Sequence, residues 1–339
     1  MSANTNPPAP SRHWIRIVIR GMIAFVIVLA ASGFVYENIS EARDRRFHPM
    51  PGELIDVGGY KMHIDCTGQG TPTVILESGL GDSYISWHKV QPKIARFTRV
   101  CSYDRAGLGY SDSSPSPRTS RNIAEELHTL LHNAGISGPL ILVGHSMGGF
   151  DVRVFASLYR ADVAAMVLVD SSHPEQQKRF PAALTNLDAS WLREQEFLEF
   201  TMPFGIPRLL GFCDSDPEAR AAECNFRSVR ESVAELKAIS TSAAQTAATG
   251  SLGDMPLVVL SHDPNKPQFE LPEDLDKPVN DTWQQMQLEL AQLSTASTHV
   301  IAKNSGHYIQ LDRPELVIEA VRQVVDGMRN VRPAQRSKP

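Results

Sequence analysis

The chain has 339 residues, a formal net charge of −5 and 21% charged residues. This length suffices for one large α/β domain that carries an insertion, or for two domains. The weakly acidic balance provides no basic surface for nucleic acid, so a nucleic-acid-binding function is disfavoured. The sequence contains neither a C-x-x-C pair nor an H-E-x-x-H motif, so we expect no metal site and no metal cofactor.

An uncharged run near the N-terminus is the first clear pattern along the chain. Residues 1–13 are polar and contain several prolines, so we expect them to be disordered. The run from Gly21 to Tyr36 has no charged side chain and follows Arg16 and Arg20. As a helix it would be about 24 Å long, somewhat short of the ~30 Å hydrocarbon core of a bilayer. We predict a membrane anchor over residues 14–36, followed by a linker over 37–51.

A cleaved signal peptide is the alternative interpretation of the same segment. Arginines precede the apolar run, and Ala31-Ser32-Gly33 has the small residues of a cleavage site. The first interpretation gives a membrane-anchored protein with its main domain outside the cytoplasm; the second gives a secreted or periplasmic protein. Four cysteines suit either compartment, either as buried thiols or in one of three disulfide connectivities. They are Cys66, Cys101, Cys213 and Cys224.

Beyond residue 52, short apolar segments alternate with amphipathic helices. The first two segments are joined by Gly58-Gly59, as in a hairpin. The alternation predicts an α/β fold whose mostly parallel sheet has helices on both faces. Its core would comprise residues 52–170 and 256–329, followed by a C-terminal tail over 330–339. The eight predicted strands cover residues 53–57, 60–66, 73–77, 99–104, 139–143, 165–170, 256–260 and 299–303.

The interval between predicted strands six and seven, residues 171–255, is too long for a simple crossover. It contains helical patterns around residues 187–200 and 218–244, interrupted by prolines. We interpret it as a helical cap inserted over the carboxyl edge of the sheet. Several large apolar residues would form either the core of this cap or the wall of an acyl pocket. They are Trp191, Phe197, Phe200, Met202 and Phe204.

The most informative motif is Gly144-His145-Ser146-Met147-Gly148-Gly149, which lies between a predicted strand and a predicted helix. This arrangement is typical of a nucleophile elbow, in which a tight turn exposes the serine hydroxyl. Gly144 and Gly148 are required because a side chain there would collide with the neighbouring strand or helix. A serine hydroxyl is a poor nucleophile without a base, so a histidine partner is expected.

Three further segments complete a resemblance. They are Ser78-Gly79-Leu80-Gly81-Asp82, Gly306-His307, and residues 103–112, which read Tyr-Asp-Arg-Ala-Gly-Leu-Gly-Tyr-Ser-Asp. With the elbow, they make the chain from about Gly52 to Arg329 resemble an α/β-hydrolase of the capped, lipase/esterase-like kind. The resemblance is specific for the fold and weak for the substrate.

The resemblance implies roles for individual residues. Ser146 would be the nucleophile, and His307 would act as general base and then as general acid. The backbone N–H groups of Leu80 and Met147 would form the oxyanion hole. His145, although in the elbow, would take no part in proton transfer. Asp104 and Arg105 are expected to form a structural ion pair beside the site.

Two residues are candidates for the acid that orients the histidine. Most members of the resembled family carry it after strand seven, in a Gly-x-x-Asp turn, where this chain reads Ser261-His262-Asp263-Pro264. Aligning Ser261 with that glycine puts Pro264 in the place of the acid and displaces Asp263. Asp170, at the end of strand six, is the position that many haloalkane dehalogenases use. We favour Asp170, with Asp263 as the alternative acid.

These residues predict a serine hydrolase that cleaves a carboxylic ester of a small or lipid-like substrate through an acyl-enzyme, without a cofactor. Epoxide hydrolases and dehalogenases of this fold carry an aspartate at the elbow, so Ser146 disfavours both. A peptidase, lactonase, thioesterase or acyltransferase is an alternative within the enzymes. A non-catalytic ligand-binding protein on the same fold is the alternative outside them.

Overall fold

An eight-stranded sheet lies at the centre of the molecule. The structure is a computed structural model that describes residues 12–266 and 271–335. The strands run side by side in the order β1-β2-β4-β3-β5-β6-β7-β8, with β1–β2 and β2–β4 antiparallel and the other pairs parallel. The predicted mostly parallel sheet is therefore confirmed. The strand bounds are β1 Glu53–Asp56, β2 Lys61–Thr67, β3 Thr73–Glu77, β4 Val100–Tyr103, β5 Leu140–His145, β6 Val163–Val169, β7 Leu257–His262 and β8 Ser297–Ala302.

Helices cover both faces of this sheet. The two faces are buried in separate apolar clusters, one containing Leu127 and Phe155, the other containing Ile94 and Val321. Buried on both faces, the central strands read as continuous apolar runs, as parallel strands do. The helix bounds are α1 Arg12–Phe47, α2 Gln91–Ile94, α3 Ser120–Asn133, α4 Gly148–Leu158, α5 Gln176–Arg179, α6 Ala182–Thr201, α7 Ile206–Leu209, α8 Pro217–Glu223, α9 Phe226–Ala247, α10 Glu273–Ala291, α11 Ile309–Asp312 and α12 Pro314–Gln335.

Five of these helices, α5 to α9, form the insertion between β6 and β7. The longest, α9, begins at the N-cap Asn225, whose side chain accepts a hydrogen bond from the Ser228 N–H at 3.0 Å. It packs against α3 and α4, and its Ile239 lies against the apolar cluster that contains Met147 and Phe150. The cap therefore lies over the end of the sheet where the elbow is found.

The N-terminal helix differs from our expectation. Residues 37–47, predicted to belong to a linker, continue α1 without a break. The reason is tertiary, because the charged residues that follow the apolar run have partners on the cap. Arg208 binds Glu37 at 3.0 Å and Asp44 at 2.5 Å, and Glu37 is buried. The helix is thus held by docking, which the hydropathy of the sequence does not reveal.

Two further predictions concern the ends of the chain. Most of the segment predicted to be disordered, residues 1–11, lies outside the described residues. Helix α12 continues to Gln335, so residues 330–335 of the predicted tail are helical, and the rest of that tail lies outside the described residues as well.

The four cysteines form two disulfides. Cys66 and Cys101 are paired partners on the antiparallel strands β2 and β4, with their Cα atoms 4.1 Å apart. Cys213 and Cys224 close a short loop of the cap, with a Cα–Cα distance of 5.4 Å. The pairing is the one of three connectivities that joins residues already adjacent in the fold. Disulfides of this kind persist in oxidising compartments.

Candidate active site

Four chain segments meet at one edge of the sheet. Ser146 directly follows β5, Asp170 directly follows β6, and His307 lies in the loop after β8. Leu80 lies in the loop after β3, which pairs with β5 in parallel. The carboxyl ends of parallel strands share one edge, and this edge is where open α/β sheets bind ligands. The structure thus brings together the residues that the sequence singled out.

The elbow geometry explains the two glycines of the motif. A Cβ atom at Gly144 would lie 2.8 Å from the carbonyl oxygen of Gly148 and from a methyl group of Val152. A Cβ atom at Gly148 would collide with the carbonyl oxygen of Ser78. Ser146 has a φ of 51°, which a side chain tolerates only under external constraint. The two glycines therefore permit the close turn that leaves Ser146 accessible.

Three non-glycine residues in the described part of the chain have a positive φ, and all three lie at this edge. They are Ser146 at 51°, Asp170 at 41° and Asn304 at 64°. Each backbone N–H donates to a neighbouring element. Ser146 donates to the Val169 carbonyl at 3.2 Å, Asp170 to the Leu260 carbonyl at 2.7 Å, and Asn304 to the Asp263 carboxylate at 2.8 Å. Strain of this kind clusters at functional sites.

Asp170, not Asp263, lies beside the histidine. The Nδ1 atom of His307 is 2.6 Å from Oδ2 of Asp170, which is fully buried. The other carboxylate oxygen accepts hydrogen bonds from the indole N–H of Trp283 at 3.0 Å and from the backbone N–H of His262 at 3.0 Å. Burial would raise the pKa of Asp170, but hydrogen bonds from His262 and His307 lower it below its usual range. The group is therefore a carboxylate, prepared to hold an imidazole.

Asp263 has a different position and a different task. One of its carboxylate oxygens accepts the N–H of Asn304 at 2.8 Å, and the other accepts the N–H of Asn265 at 2.9 Å. Its own N–H donates to the Ser305 carbonyl at 3.0 Å. These bonds connect the end of β7 to the loop that carries His307. The Asp263 carboxylate thus stabilises the turn after β7 and the loop after β8 through backbone N–H groups.

His262 is the feature of the site that the sequence analysis missed. Its Nδ1 lies 2.9 Å from both carboxylate oxygens of Asp170, and its Nε2 lies 2.8 Å from Oδ1 of Asn280. Both ring nitrogens face acceptors, which favours the doubly protonated ring. Burial opposes this, but the Asp170 carboxylate raises the pKa of His262 above its ordinary value. The available signal was its position two residues after the predicted strand seven, at the edge where Asp170 ends the predicted strand six.

His145 supports the backbone of His307. It is buried, and burial lowers its pKa well below the ordinary value, so the ring is neutral. Its Nε2–H donates to the His307 carbonyl oxygen at 3.2 Å, and the two rings are 4.7 Å apart. The elbow therefore fixes the loop of the second histidine as well as the serine.

Two backbone N–H groups lie free beside Ser146. Met147 is the N-cap of α4, and Leu80 follows Gly79 in the loop after β3. Within residues 12–266 and 271–335, neither N–H donates to an acceptor of the protein. Such unpaired N–H groups at a helix N-terminus and in a loop suit an anionic oxygen.

Arg105 holds the Leu80 loop in place, and this corrects the expected Asp104–Arg105 ion pair. The Arg105 guanidinium is buried and donates to the carbonyl oxygens of Ser78 at 2.8 Å and Gly79 at 2.6 Å. It also pairs with Glu77 at 2.7 Å and with Glu235 of α9 at 2.6 Å. With two carbonyls fixed as acceptors, the loop presents its next N–H groups on the other side.

Asp104 makes a separate set of contacts. It accepts hydrogen bonds from His63 Nδ1 at 2.7 Å and from the N–H groups of Tyr84 at 2.8 Å and Tyr110 at 3.0 Å. Although adjacent in the sequence, Asp104 and Arg105 therefore bind different partners.

A small cavity opens beside the Leu80 loop. Its volume is about 160 Å³, and its walls come from the loop and from both long cap helices: Leu80, Gly81, Asp82, Trp191, Gln195, Ser232 and Leu236. Of the apolar cap residues considered above, Trp191 lines this cavity and Met202 is buried, whereas Phe197 and Phe200 are exposed. The two exposed phenylalanines therefore belong neither to the wall of this cavity nor to the buried core of the cap.

Comparison with known proteins places this geometry in a family. A model described as "Alpha/beta hydrolase family" matches residues 74–320. A putative lipase from Acinetobacter baumannii has the same fold, with a TM-score of 0.61 and 19% identity over 87% of this chain and 97% of its own. At that identity the likeness concerns the fold alone. Within residues 12–266 and 271–335, no group of three or more His, Cys, Asp or Glu side chains is arranged to hold a metal ion.

Two sequence relatives show how broad the family is. The uncharacterized protein YbdG of Bacillus subtilis is 27% identical over 164 residues, which cover 48% of this chain and 50% of that protein. The chain thus matches about half the length of this relative. The soluble epoxide hydrolase of a Corynebacterium species is 30% identical over 114 residues, 34% of this chain and 39% of that protein.

A buried carboxyl behind the elbow generates a pH prediction. Asp151 lies in α4 and is buried, and burial together with the nearby Glu77 carboxylate raises its pKa to about 8. Its pKa is higher in the folded than in the unfolded chain, so stability falls as pH rises from about 4 to about 8. The loss amounts to at most about 1.4 kcal/mol per pH unit.

We therefore expect Asp151→Asn to gain stability relative to the unmodified chain as pH rises from 5 to 8. Urea unfolding of both proteins at each pH measures the difference. Asp326→Asn is the matched control, because Asp326 is exposed. The free energy of unfolding of this variant should differ from that of the unmodified chain by the same amount at every pH. A constant difference for Asp151→Asn would contradict the prediction.

Proposed function

The chain belongs to the alpha/beta hydrolase family, and from this premise we propose that it is a serine hydrolase that cleaves carboxylic esters through an acyl-enzyme on Ser146. One observation carries the proposal. The Asp170 carboxylate is 2.6 Å from the Nδ1 atom of His307, at the edge of the sheet where the strained elbow presents Ser146. The residues proposed as nucleophile, acid and base thus follow β5, β6 and β8 at one edge of the sheet.

The proposed reaction proceeds in two halves. In the first, His307 removes the proton of the Ser146 hydroxyl as its oxygen attacks the acyl carbon, and Asp170 stabilises the resulting imidazolium. The N–H groups of Leu80 and Met147 bind the tetrahedral oxyanion. The tetrahedral intermediate then collapses with cleavage of its bond to the alkoxide oxygen, which the imidazolium protonates, so that the alcohol leaves. In the second half, His307 deprotonates a water molecule that hydrolyses the acyl-enzyme, and the proton returns to Ser146.

One feature favours an ester over an epoxide. The elbow carries a serine, whereas epoxide hydrolases of this fold are expected to carry an aspartate there. The cavity beside Leu80 has apolar walls at Trp191 and Leu236 and polar ones at Asp82, Gln195 and Ser232, so it suits a neutral substrate with an apolar part.

We also propose that the chain is anchored in a membrane by α1, with the hydrolase domain outside the cytoplasm. Among the described residues, α1 is the one helix long and apolar enough to span a bilayer, and none of its most apolar stretch is buried against the protein. The two disulfides support an oxidising compartment. Arg12, Arg16 and Arg20 would keep the N-terminal side in the cytoplasm.

Ser146→Ala should abolish ester hydrolysis, with a loss of activity on the order of 10⁴-fold or more, because the acyl-enzyme cannot form without the Ser146 hydroxyl. Hydrolysis of p-nitrophenyl esters of graded chain length by the purified full chain measures this loss. A fluorophosphonate probe should label the unmodified chain and Ser116→Ala, whose serine is exposed, but not Ser146→Ala. A folded, unlabelled and inactive unmodified chain would indicate a ligand-binding protein instead.

Asp170→Asn should cost roughly 10⁴-fold in kcat, because the amide neither fixes the imidazole tautomer nor stabilises the imidazolium. Asp263→Asn should stay within about tenfold of the unmodified chain, since an amide still offers one acceptor oxygen to the loop. The two variants are compared at equal folded fraction, established by circular dichroism. The reverse ranking would assign the acid to Asp263.

The full-length chain should sediment with membranes and resist extraction by carbonate, because α1 remains in the bilayer. Protease added to spheroplasts should digest the hydrolase domain if that domain faces outward. A soluble protein of unprocessed mass would rule out the anchor. A soluble protein shortened by about 31 to 33 residues would indicate a cleaved signal peptide.

A further inference from the structure

One region of the cap exposes large apolar side chains that the proposed chemistry does not use. Phe200 is 72% exposed and Leu209 is 67% exposed. Between residues 197 and 212 the only charged residues are Glu199 and Arg208. An exposed cluster of this kind marks an interaction surface. The members of this apolar cap surface are Phe197, Phe200, Ile206, Leu209, Leu210 and Phe212.

This apolar cap surface lies directly beside the helix proposed to span the membrane. A Cβ atom at Gly33 of α1 would fall on the carbonyl oxygen of Phe204, and one at Gly205 would lie 2.7 Å from the Tyr36 ring. The two glycines thus allow α1 to touch the turn between α6 and α7. Gly33 and Tyr36 are within the uncharged run that has to occupy the hydrocarbon core, at its outer end. The turn therefore lies at the depth of the membrane boundary.

The orientation of the cap relative to α1 is fixed. Helix α1 continues unbroken to Phe47, and its Glu37 and Asp44 hold Arg208, which lies between Ile206 and Leu209. The Arg208 side chain is 8% exposed. Separating Arg208 from these carboxylates would leave a buried charge without its partner, which is strongly unfavourable. The cap consequently cannot swing away from the membrane as a domain on a flexible linker could.

We infer that the apolar cap surface lies in the outer surface of the bilayer that α1 spans, and that the hydrolase takes its ester substrate from that bilayer. This inference rests on the anchor and the esterase activity proposed above. The bilayer is the occupant favoured by continuity, since the apolar cap surface adjoins an apolar helix stretch of which no part is buried in the protein. Burial of its large side chains in lipid removes the cost of exposing them to water.

The same helix connects the apolar cap surface to the candidate site. Trp191 and Gln195 of α6 line the cavity beside Leu80, and Phe200 lies roughly 8 Å further along that helix from Gln195. The cavity of about 160 Å³ is smaller than the roughly 300–1,000 Å³ of sites that enclose a whole ligand. A lipid ester would place its reacting end there and leave the remainder along α6, toward the bilayer.

Fluorescence quenching in proteoliposomes tests where the apolar cap surface lies. The full chain carrying Trp14→Phe receives one added tryptophan, either Phe200→Trp or Leu288→Trp. Leu288 is 45% exposed on α10, which packs against β7 and β8. In phosphatidylcholine brominated on the acyl chains, the emission added at position 200 should be quenched, and that added at position 288 should not.

Equal quenching at the two positions would overturn the inference. Quenching at neither position, together with a dimer by light scattering in detergent and in nanodiscs, would overturn it in favour of a second copy of the chain as the occupant.

A second measurement tests the origin of the substrate. The unmodified chain in phosphatidylcholine vesicles should hydrolyse p-nitrophenyl palmitate dissolved in the bilayer and p-nitrophenyl acetate dissolved in water. Leu209→Glu/Leu210→Glu should lower the palmitate rate roughly tenfold or more, because two charges replace lipid-buried side chains. Its acetate rate should not change. Leu54→Glu/Leu288→Glu, at residues 40% and 45% exposed, should leave both rates unchanged.

The outcomes separate this inference from the proposed function. If the unmodified chain hydrolysed neither ester and was not labelled by the fluorophosphonate probe, the proposed esterase activity would be refuted. The quenching experiment would still test the position of the cap. An unmodified chain that cleaves acetate but not palmitate would overturn the bilayer as the source of substrate. Equal palmitate rates in the two double variants would overturn it as well.

Discussion

The buried Arg105 guanidinium is the interaction on which the arrangement of the candidate site depends. It joins the end of β3 through Glu77, the Leu80 loop through two carbonyl oxygens, and cap helix α9 through Glu235. Removing one partner of a buried ion pair leaves an uncompensated charge, at a cost of about 3–5 kcal/mol. Because Glu235 also accepts the N–H of Gly81 at 2.9 Å, the cap cannot move without disturbing the loop that presents the Leu80 N–H. Sheet, loop and cap therefore act as one body.

A second buried charge organises the other side of the site. Asp170 is surrounded by donors from three different elements: His262 of β7, Trp283 of α10 and His307 of the loop after β8. These donors favour the ionised carboxylate despite its burial. They also restrict how the carboxylate can turn, so the oxygen that faces His307 has a defined direction. The positive φ of Asp170 is maintained by the same contacts.

The proposed membrane anchor extends this picture to the apolar cap surface. If α1 spans a bilayer, its docking on the cap through Arg208 determines how the hydrolase domain is positioned relative to that bilayer. The cap would then serve as a lid over the cavity, as a holder of the oxyanion loop and as a contact with lipid.

The sequence by itself determined the sheet, the elbow at Ser146 and the loop of His307, because strand alternation, helix periodicity and glycine-bounded turns are local patterns. It also indicated Asp170, although it left Asp263 open. Only the tertiary structure decided which carboxylate meets His307, which residues Arg105 binds, how the cysteines pair and where α1 ends. These outcomes depend on the direction of side chains at the ends of neighbouring strands and on distances between elements far apart in the chain. A shift of one residue along the chain reverses the direction in which a side chain points, and local sequence patterns do not reveal such a shift.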